Sequence, residues 1–174
     1  NSVVAELSSP SEHVTIENEI ISYGTIASGS TVSSSFPVLI HGTAFDMEDL
    51  NCKLTIMDDN DNIWINYVPV NISGPQLIIS DYIGETLPGS TTDLAIDLIN
   101  EGSKTANDFT IEMLSYENLV TVNAGWSVMD NLSAGSNILL DGFNLSFSST
   151  IINGSVLPME MILTSVDGFT RNQI

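Results

Sequence analysis

Two stretches of this chain repeat each other at an offset of 106 residues. Val14-Thr15-Ile16, then Tyr23-Gly24-Thr25-Ile26-Ala27-Ser28-Gly29-Ser30, returns as Val120-Thr121-Val122, then Met129-Asp130-Asn131-Leu132-Ser133-Ala134-Gly135-Ser136. Further on, Phe36, Val38 and Ile40 match Phe143, Leu145 and Phe147, and Leu54 and Ile56 match Met161 and Leu163. A period of about 100 residues is too long for a solenoid unit and is the size of one β-sandwich domain. Parts of two copies of one module are therefore expected, dividing as residues 1–74 and 75–174 at Asn71-Ile72-Ser73-Gly74-Pro75. Pro69 and Pro75 bracket that junction and leave almost no free linker, so modules stacked end to end with limited bending are expected.

Within each copy the apolar residues alternate at period two. Leu94-Ile96-Leu98 alternate with Asp93, Ala95 and Asp97. Phe109-Ile111-Met113 alternate with Thr110 and Glu112, and Phe143-Leu145-Phe147 with Asn144, Ser146 and Ser148. Such segments are half-buried antiparallel strands, each with a wet and a dry face. Turn clusters such as Ala27-Ser28-Gly29-Ser30 and Ser133-Ala134-Gly135-Ser136 punctuate them. Helical periodicity is nearly absent. The expected class is all-β, as two tandem antiparallel β-sandwiches. Hairpin tips are expected at Asp58-Asp59-Asn60-Asp61-Asn62 and at Asp167-Gly168.

The offset also changes along the chain. It is 106 through Gly29/Gly135, 107 at Phe36/Phe143, and 106 again when Asp61 is matched to Asp167. On that alignment the copies differ in length only in loops, one residue being gained before Phe143 and one lost at the hairpin tip. Projected backwards, the period places the opening of the first copy about 30 residues before Asn1. The first sandwich is thus expected to lack its N-terminal strands, the equivalents of Gln76–Asp81 and Thr91–Ile99, and to expose a sheet edge or apolar face. The last strand of the second copy stops at Ile174, a few residues short of where the first copy finishes, so a piece cut at both ends is expected.

Composition narrows the function classes. Twenty-two acidic residues face only Lys53, Lys104 and Arg171, a net charge of −19. That field repels nucleic acid and anionic membranes, so no nucleic-acid partner is expected. No apolar run is long enough for a membrane-spanning helix, so no membrane insertion is expected. Cys52 is the single cysteine and cannot form an internal disulfide. Its alternation with Leu54 and Ile56 puts the thiol on the apolar face, where a buried inert sulfur is expected.

The order of strands and turns resembles the immunoglobulin-like repeats of large secreted bacterial proteins, including those that follow the catalytic domain of gingipain-type cysteine peptidases. The resemblance runs through Leu87-Pro88-Gly89-Ser90, Leu94–Ile99, Asn100-Glu101-Gly102, Phe109–Leu114, Leu119–Val122, Asp130–Gly135, Phe143–Phe147, Met159–Thr164 and Asp167-Gly168. It covers essentially the whole chain and rests on turns and core positions. It implies Ig-like sandwiches in a secreted or cell-surface protein, with neighbouring domains of the same polypeptide as partners. Family members often carry an acidic loop ahead of the Pro-Gly turn. Here that stretch is Ser80-Asp81-Tyr82-Ile83-Gly84-Glu85-Thr86, with Asp81 and Glu85 as its only acids, so no metal site is carried over.

Four groups of residues invite a functional reading. Asp58, Asn60 and Asn62 have the spacing of the first half of a calcium loop, but Ile63 stands where the loop needs Gly and Pro69 where it needs Glu. A solvated hairpin tip is the expectation. His13, His41 and Cys52 bear the groups of a Cys-His nucleophile or a zinc site, yet their positions are scattered and no orienting carboxylate follows from spacing. Trp64, Tyr67, Tyr82 and Trp126 are candidates for an aromatic sugar platform, and Trp126, which follows Gly125 near a turn, is expected to be exposed. Asn71, Asn131, Asn144 and Asn153 each begin an Asn-x-Ser triplet, frequent by chance in a chain this rich in both residues. No catalytic residue, cofactor or metal is assigned. The expected function is a non-catalytic spacer, with a cell-surface glycan or protein as ligand in the adhesion or carbohydrate-binding alternative. A further alternative is an accessory C-terminal region of a secreted cysteine peptidase.

Overall fold

A computed structural model describes residues 1–174. It contains fourteen β-strands and no helix. The chain divides into two compact units, Asn1–Ile72 (unit 1) and Ser73–Ile174 (unit 2). The division falls ahead of Gly74 because that residue is already tied to unit 2: its carbonyl accepts from Lys104 N–H at 3.2 Å.

Unit 2 has eight strands: β7 (Leu77–Ile83), β8 (Thr91–Asn100), β9 (Ala106–Leu114), β10 (Val120–Ala124), β11 (Trp126–Leu132), β12 (Asn137–Phe147), β13 (Glu160–Ser165) and β14 (Thr170–Gln173). They form two antiparallel four-stranded sheets, ordered β10-β12-β8-β7 and β11-β9-β13-β14. Period-two alternation turns one apolar row from each strand inward. Leu94, Ile96 and Leu98 of β8 and Phe143 and Leu145 of β12 meet Phe109, Ile111 and Met113 of β9 and Met161 and Leu163 of β13 in one core. Two sheets closing on a shared apolar layer is the arrangement of a β-sandwich.

Unit 1 has six strands: β1 (Ser2–Ser8), β2 (Val14–Ile16), β3 (Ile20–Thr25), β4 (Val38–Ile40), β5 (Asp49–Asp58) and β6 (Ile63–Asn71). Its larger sheet is ordered β3-β1-β5-β6 and its smaller one is the pair β2-β4. The strand order β3-β1-β5-β6 is that of β11-β9-β13-β14, and β2-β4 is that of β10-β12. Backbone hydrogen bonds recur between equivalent residues, 106 apart early in the copies and 107 apart later. Leu7 N–H donates to Glu19 O as Met113 N–H donates to Gly125 O, and His41 N–H donates to His13 O as Ser148 N–H donates to Leu119 O. No strand in unit 1 corresponds to β7 or β8.

The geometry corrects the expected placement of the length changes. The residue gained before Phe143 does not lie in a loop. It forms a β-bulge inside β12, where Leu140 pairs with Ile96 and Phe143 with Leu94, so Asp141-Gly142 stands against a single residue of β8. The bulge restores parity, and Phe143 and Leu145 still point inward. The hairpin tip has lost nothing. Asp61 N–H donates to Asp58 O, and Gly168 N–H donates to Ser165 O, an offset of 107 in both. Asp61 (φ 63°) thus occupies the place of Gly168 (φ 85°), not that of Asp167. Matching by residue identity was misled there because Asp is one of the few side chains that accepts a left-handed backbone.

Candidate functional site

The hairpin tip of unit 1 is built around one carboxylate. Asp58 Oδ1 accepts from the N–H groups of Asn60 and Asn62 at 2.9 and 3.0 Å. The Asn62 amide donates to both Asp58 oxygens, at 3.1 and 3.0 Å, and Asn1 Nδ2 reaches Oδ2 at 3.2 Å. These donors, led by the Asn62 side chain, lower the Asp58 pKa to about 2. A neighbouring carboxylate, Asp59, accepts from Ser2 N–H at 3.1 Å. Asp58, Asn60 and Asn62 are therefore brought together, but as acceptor and donors to one another, and the lone pairs a cation would need face N–H groups. In unit 2, Asn107, the equivalent of Asn1, donates from Nδ2 to Asp167 Oδ2 at 3.0 Å, a carboxylate at the place of Asn60.

His13 and His41 are neighbours across the β2-β4 end of unit 1, yet neither imidazole has Cys52 as its hydrogen-bond partner. His13 Nδ1–H donates to Glu48 Oε2 at 2.8 Å, which requires the proton on Nδ1, and the ring lies edge-on to Phe45 with centroids 6.0 Å apart. His41 Nε2 lies within hydrogen-bond distance of Thr15 Oγ1, at 2.8 Å. Glu48 also accepts from Phe45 N–H at 3.0 Å, and that bond, with the one from His13, lowers its pKa. Cys52 is 1% exposed on the inner face of β5. This cluster pins the Phe45–Glu48 turn against the start of β2.

The aromatic candidates do not form one platform in either unit. Trp64 and Tyr67 lie three positions apart on β6 and so on opposite faces. Tyr82 is on β7 and Trp126 on β11, edge strands of different sheets. Trp126 is 58% exposed, directly opposite Glu112, with Val128 also exposed two residues on.

Two polar residues of structural weight carried no assigned role in the sequence reading. Asn100 is fully buried. Its Nδ2 donates to Lys104 O at 2.8 Å and Leu132 O at 3.0 Å, while Oδ1 accepts from Gln76 and Gly102 N–H, each at 3.0 Å. Four backbone groups from three segments meet on one amide. Gly102 has no alternative there, because a Cβ would lie 2.3 Å from Gln76 N. Gln173, inward-facing on β14, reaches the opposite sheet: Oε1 accepts from Ile79 N–H at 3.0 Å and Nε2 donates to Leu77 O at 2.7 Å. The Asn-x-Gly spacing was the available signal for the first; nothing local signals the second.

Two hollows remain. One, of about 440 Å³, follows the β9–β10 loop from Met113 to Val122. At its rim Tyr116 O–H donates to Glu160 Oε2 at 2.6 Å, a bond that raises the Tyr116 pKa. The other, of about 520 Å³, is an apolar trough on the inner face of unit 1, lined among others by Leu7, Phe36, Cys52, Ile56 and Val68. No family model and no curated protein matches this chain.

Proposed function

We propose that the chain is a non-catalytic structural spacer, made of tandem Ig-like β-sandwiches, within a secreted or cell-surface multidomain bacterial protein. The observation that carries this reading is the recurrence of a whole hydrogen-bonded framework, at an offset of 106 before the β12 bulge and 107 after it. Strand order, turn bonds and hairpin tip repeat from unit 1 to unit 2. What recurs is scaffold: inward apolar rows and the turns that join them. The polar groups with the most hydrogen bonds, Asp58, Glu48 and Asn100, bind the protein's own backbone and side chains. A net charge of −19 spread over short strands and polar turns keeps such an array soluble and apart from its neighbours. Neighbouring domains of the same polypeptide are its partners, and no nucleic acid or membrane insertion is part of the reading. The resemblance to repeats behind gingipain-type peptidases suits the same role, as an accessory C-terminal region that supports catalysis encoded elsewhere.

One observation favours a second reading, an adhesion or carbohydrate-binding module. Trp126 and Val128 together present an exposed apolar step on β11. Glycan-array screening and a peptidase assay on the 174-residue chain separate the readings. The spacer predicts no binding and no hydrolysis. Glycan binding that Trp126→Ala abolishes establishes the second reading, and hydrolysis by purified protein overturns the first.

A further inference from the structure

The apolar trough of unit 1 has a counterpart in unit 2, and there it is filled. In unit 2, β12 is hydrogen-bonded on one side to β10 and on the other to β8, which is followed by β7. The β8 strand pairs Ile96 with Leu140, Leu94 with Phe143 and Thr92 with Leu145. It drives Leu94, Ile96 and Leu98 between the sheets. The residues of unit 1 equivalent to Leu140, Phe143 and Leu145 are Ser34, Phe36 and Val38 at the offsets established above. All three line the trough, together with Val32, at alternate positions as a strand facing a core requires. Yet β4 pairs with β2 alone, and its other edge carries no strand.

The exposures follow from that vacancy. Val38 is 37% exposed where Leu145 is 3%, and Val32 is 45% exposed. The turn bonds mark the same gap. In unit 2, Gly135 N–H donates to Asn100 O at 2.7 Å and Asn100 N–H donates to Ser136 O at 2.9 Å, closing the end of β8. In unit 1 the equivalent groups are Gly29 N–H and Ser30 O, within the same turn, where Ser30 N–H donates to Ala27 O. Apolar inward positions, an unpaired strand edge and a matching pair of backbone groups thus coincide along one line.

We propose that this trough is an acceptor for an antiparallel strand pair patterned like β7–β8, supplied by the same polypeptide and entering β1 through a short loop. This rests on the reading of the units as copies of one sandwich. The occupant's chemistry follows from what the site offers. The strand beside β4 carries aliphatic side chains at alternate positions, as Leu94, Ile96 and Leu98 do, so that they meet Leu7, Cys52 and Ile56. It ends in a residue whose backbone closes on Gly29 and Ser30. The same-chain source follows from connectivity: β8 enters β9 through residues 101–105, so the strand in the β8 place of unit 1 is the one that leads into β1. Strand addition of this kind combines backbone pairing for affinity with alternate side-chain pockets for specificity.

The test is a graft. A copy of residues 75–106 is joined ahead of Asn1 of the full chain, and a control graft carries Ser at the positions copied from Leu94, Ile96 and Leu98. Amide hydrogen exchange is followed at residues 32–40, with binding of an apolar dye as a second readout. The apolar graft is expected to slow exchange there by at least about 100-fold and to abolish dye binding, while the Ser graft does neither. Equal protection by both grafts, or by neither, overturns the proposal. So does concentration-dependent protection in the ungrafted chain, which would make a second copy the occupant. Cross-strand contacts between Ala5 and Ile56 and between Ile111 and Leu163, read by NMR in the same samples, report the copy relation separately. If they are present and the graft fails, only the proposal falls; if the first is absent, the copy reading falls.

Discussion

Ile56 of unit 1 and Leu163 of unit 2 hold the same place on the central strand pair of their sheets, yet Leu163 is fully buried and Ile56 half-buried. The difference is not in the strands that carry them. Ala5 pairs with Ile56 as Ile111 pairs with Leu163. It lies in the opposing layer: unit 2 has four strands there and unit 1 has two. A sheet can therefore be complete in its hydrogen bonds while its inner face remains unclosed. Backbone pairing is settled within a layer, and apolar burial only between layers.

That contrast can be broken or sharpened by substitution. The largest effect is expected in the core of unit 2, where Leu163→Ala should cost about 3–4 kcal/mol, measured by denaturant unfolding of that unit. The equivalent Ile56→Ala should cost about 1 kcal/mol, since a side chain left half in water returns less on burial. Equal costs would mean that unit 1 is closed in solution. Next comes the buried amide. Asn100→Ala strands two N–H and two C=O groups and should destabilise unit 2 by about 2–3 kcal/mol, with unit 1 unchanged in hydrogen exchange.

A smaller effect of opposite sign is expected at Met47. It holds φ 59° where unit 2 places Gly154 at φ 89°, in matching turns where Glu48 N–H donates to Phe45 O and Ser155 N–H to Ile152 O. A Met side chain is strained in that conformation, so Met47→Gly should stabilise unit 1 by up to about 1 kcal/mol and Gly154→Met destabilise unit 2 by about 1–2 kcal/mol in thermal melts. The smallest effect concerns the hairpin tips. The Asn62 side chain and the neighbouring N–H donors hold the pKa of the Asp58 carboxyl at about 2 when folded, below the usual carboxylate range. A lowered folded pKa contributes stability above the unfolded value that is lost as pH falls through the folded one. Melting of unit 1 should thus decline by a few degrees between about pH 4 and pH 2, a slope that Asp58→Asn removes. Unit 2 has Ser165, which carries no carboxyl, at that place.

How much of this was legible beforehand depends on the range of the physics involved. The inward rows of β8, β9 and β12, the inward thiol of Cys52 and the existence of both hairpins were readable, because alternation and turn chemistry are properties of adjacent residues. The bulge at Asp141-Gly142 was not. An extra residue sits equally well in a loop or in a strand until the partner strand shows where parity must be recovered. The tip was misaligned for a related reason: identity favoured Asp61 with Asp167, while backbone conformation pairs Asp61 with Gly168. The spacing of Asp58, Asn60 and Asn62 matched only the first half of a cation loop and left a solvated tip as the expectation, but spacing does not record which N–H groups reach the Asp58 carboxylate.

The chain's repeat, its all-β class and the identity of most inward-facing residues follow from the order of amino acids alone, since a strand's two faces are set by a period of two and a turn by three or four neighbours. The tertiary structure decided what was done with those faces: where within β12 the extra residue was absorbed, and which polar side chain bound backbone from three segments. Those outcomes depend on strands tens of residues away, such as β8 against β12.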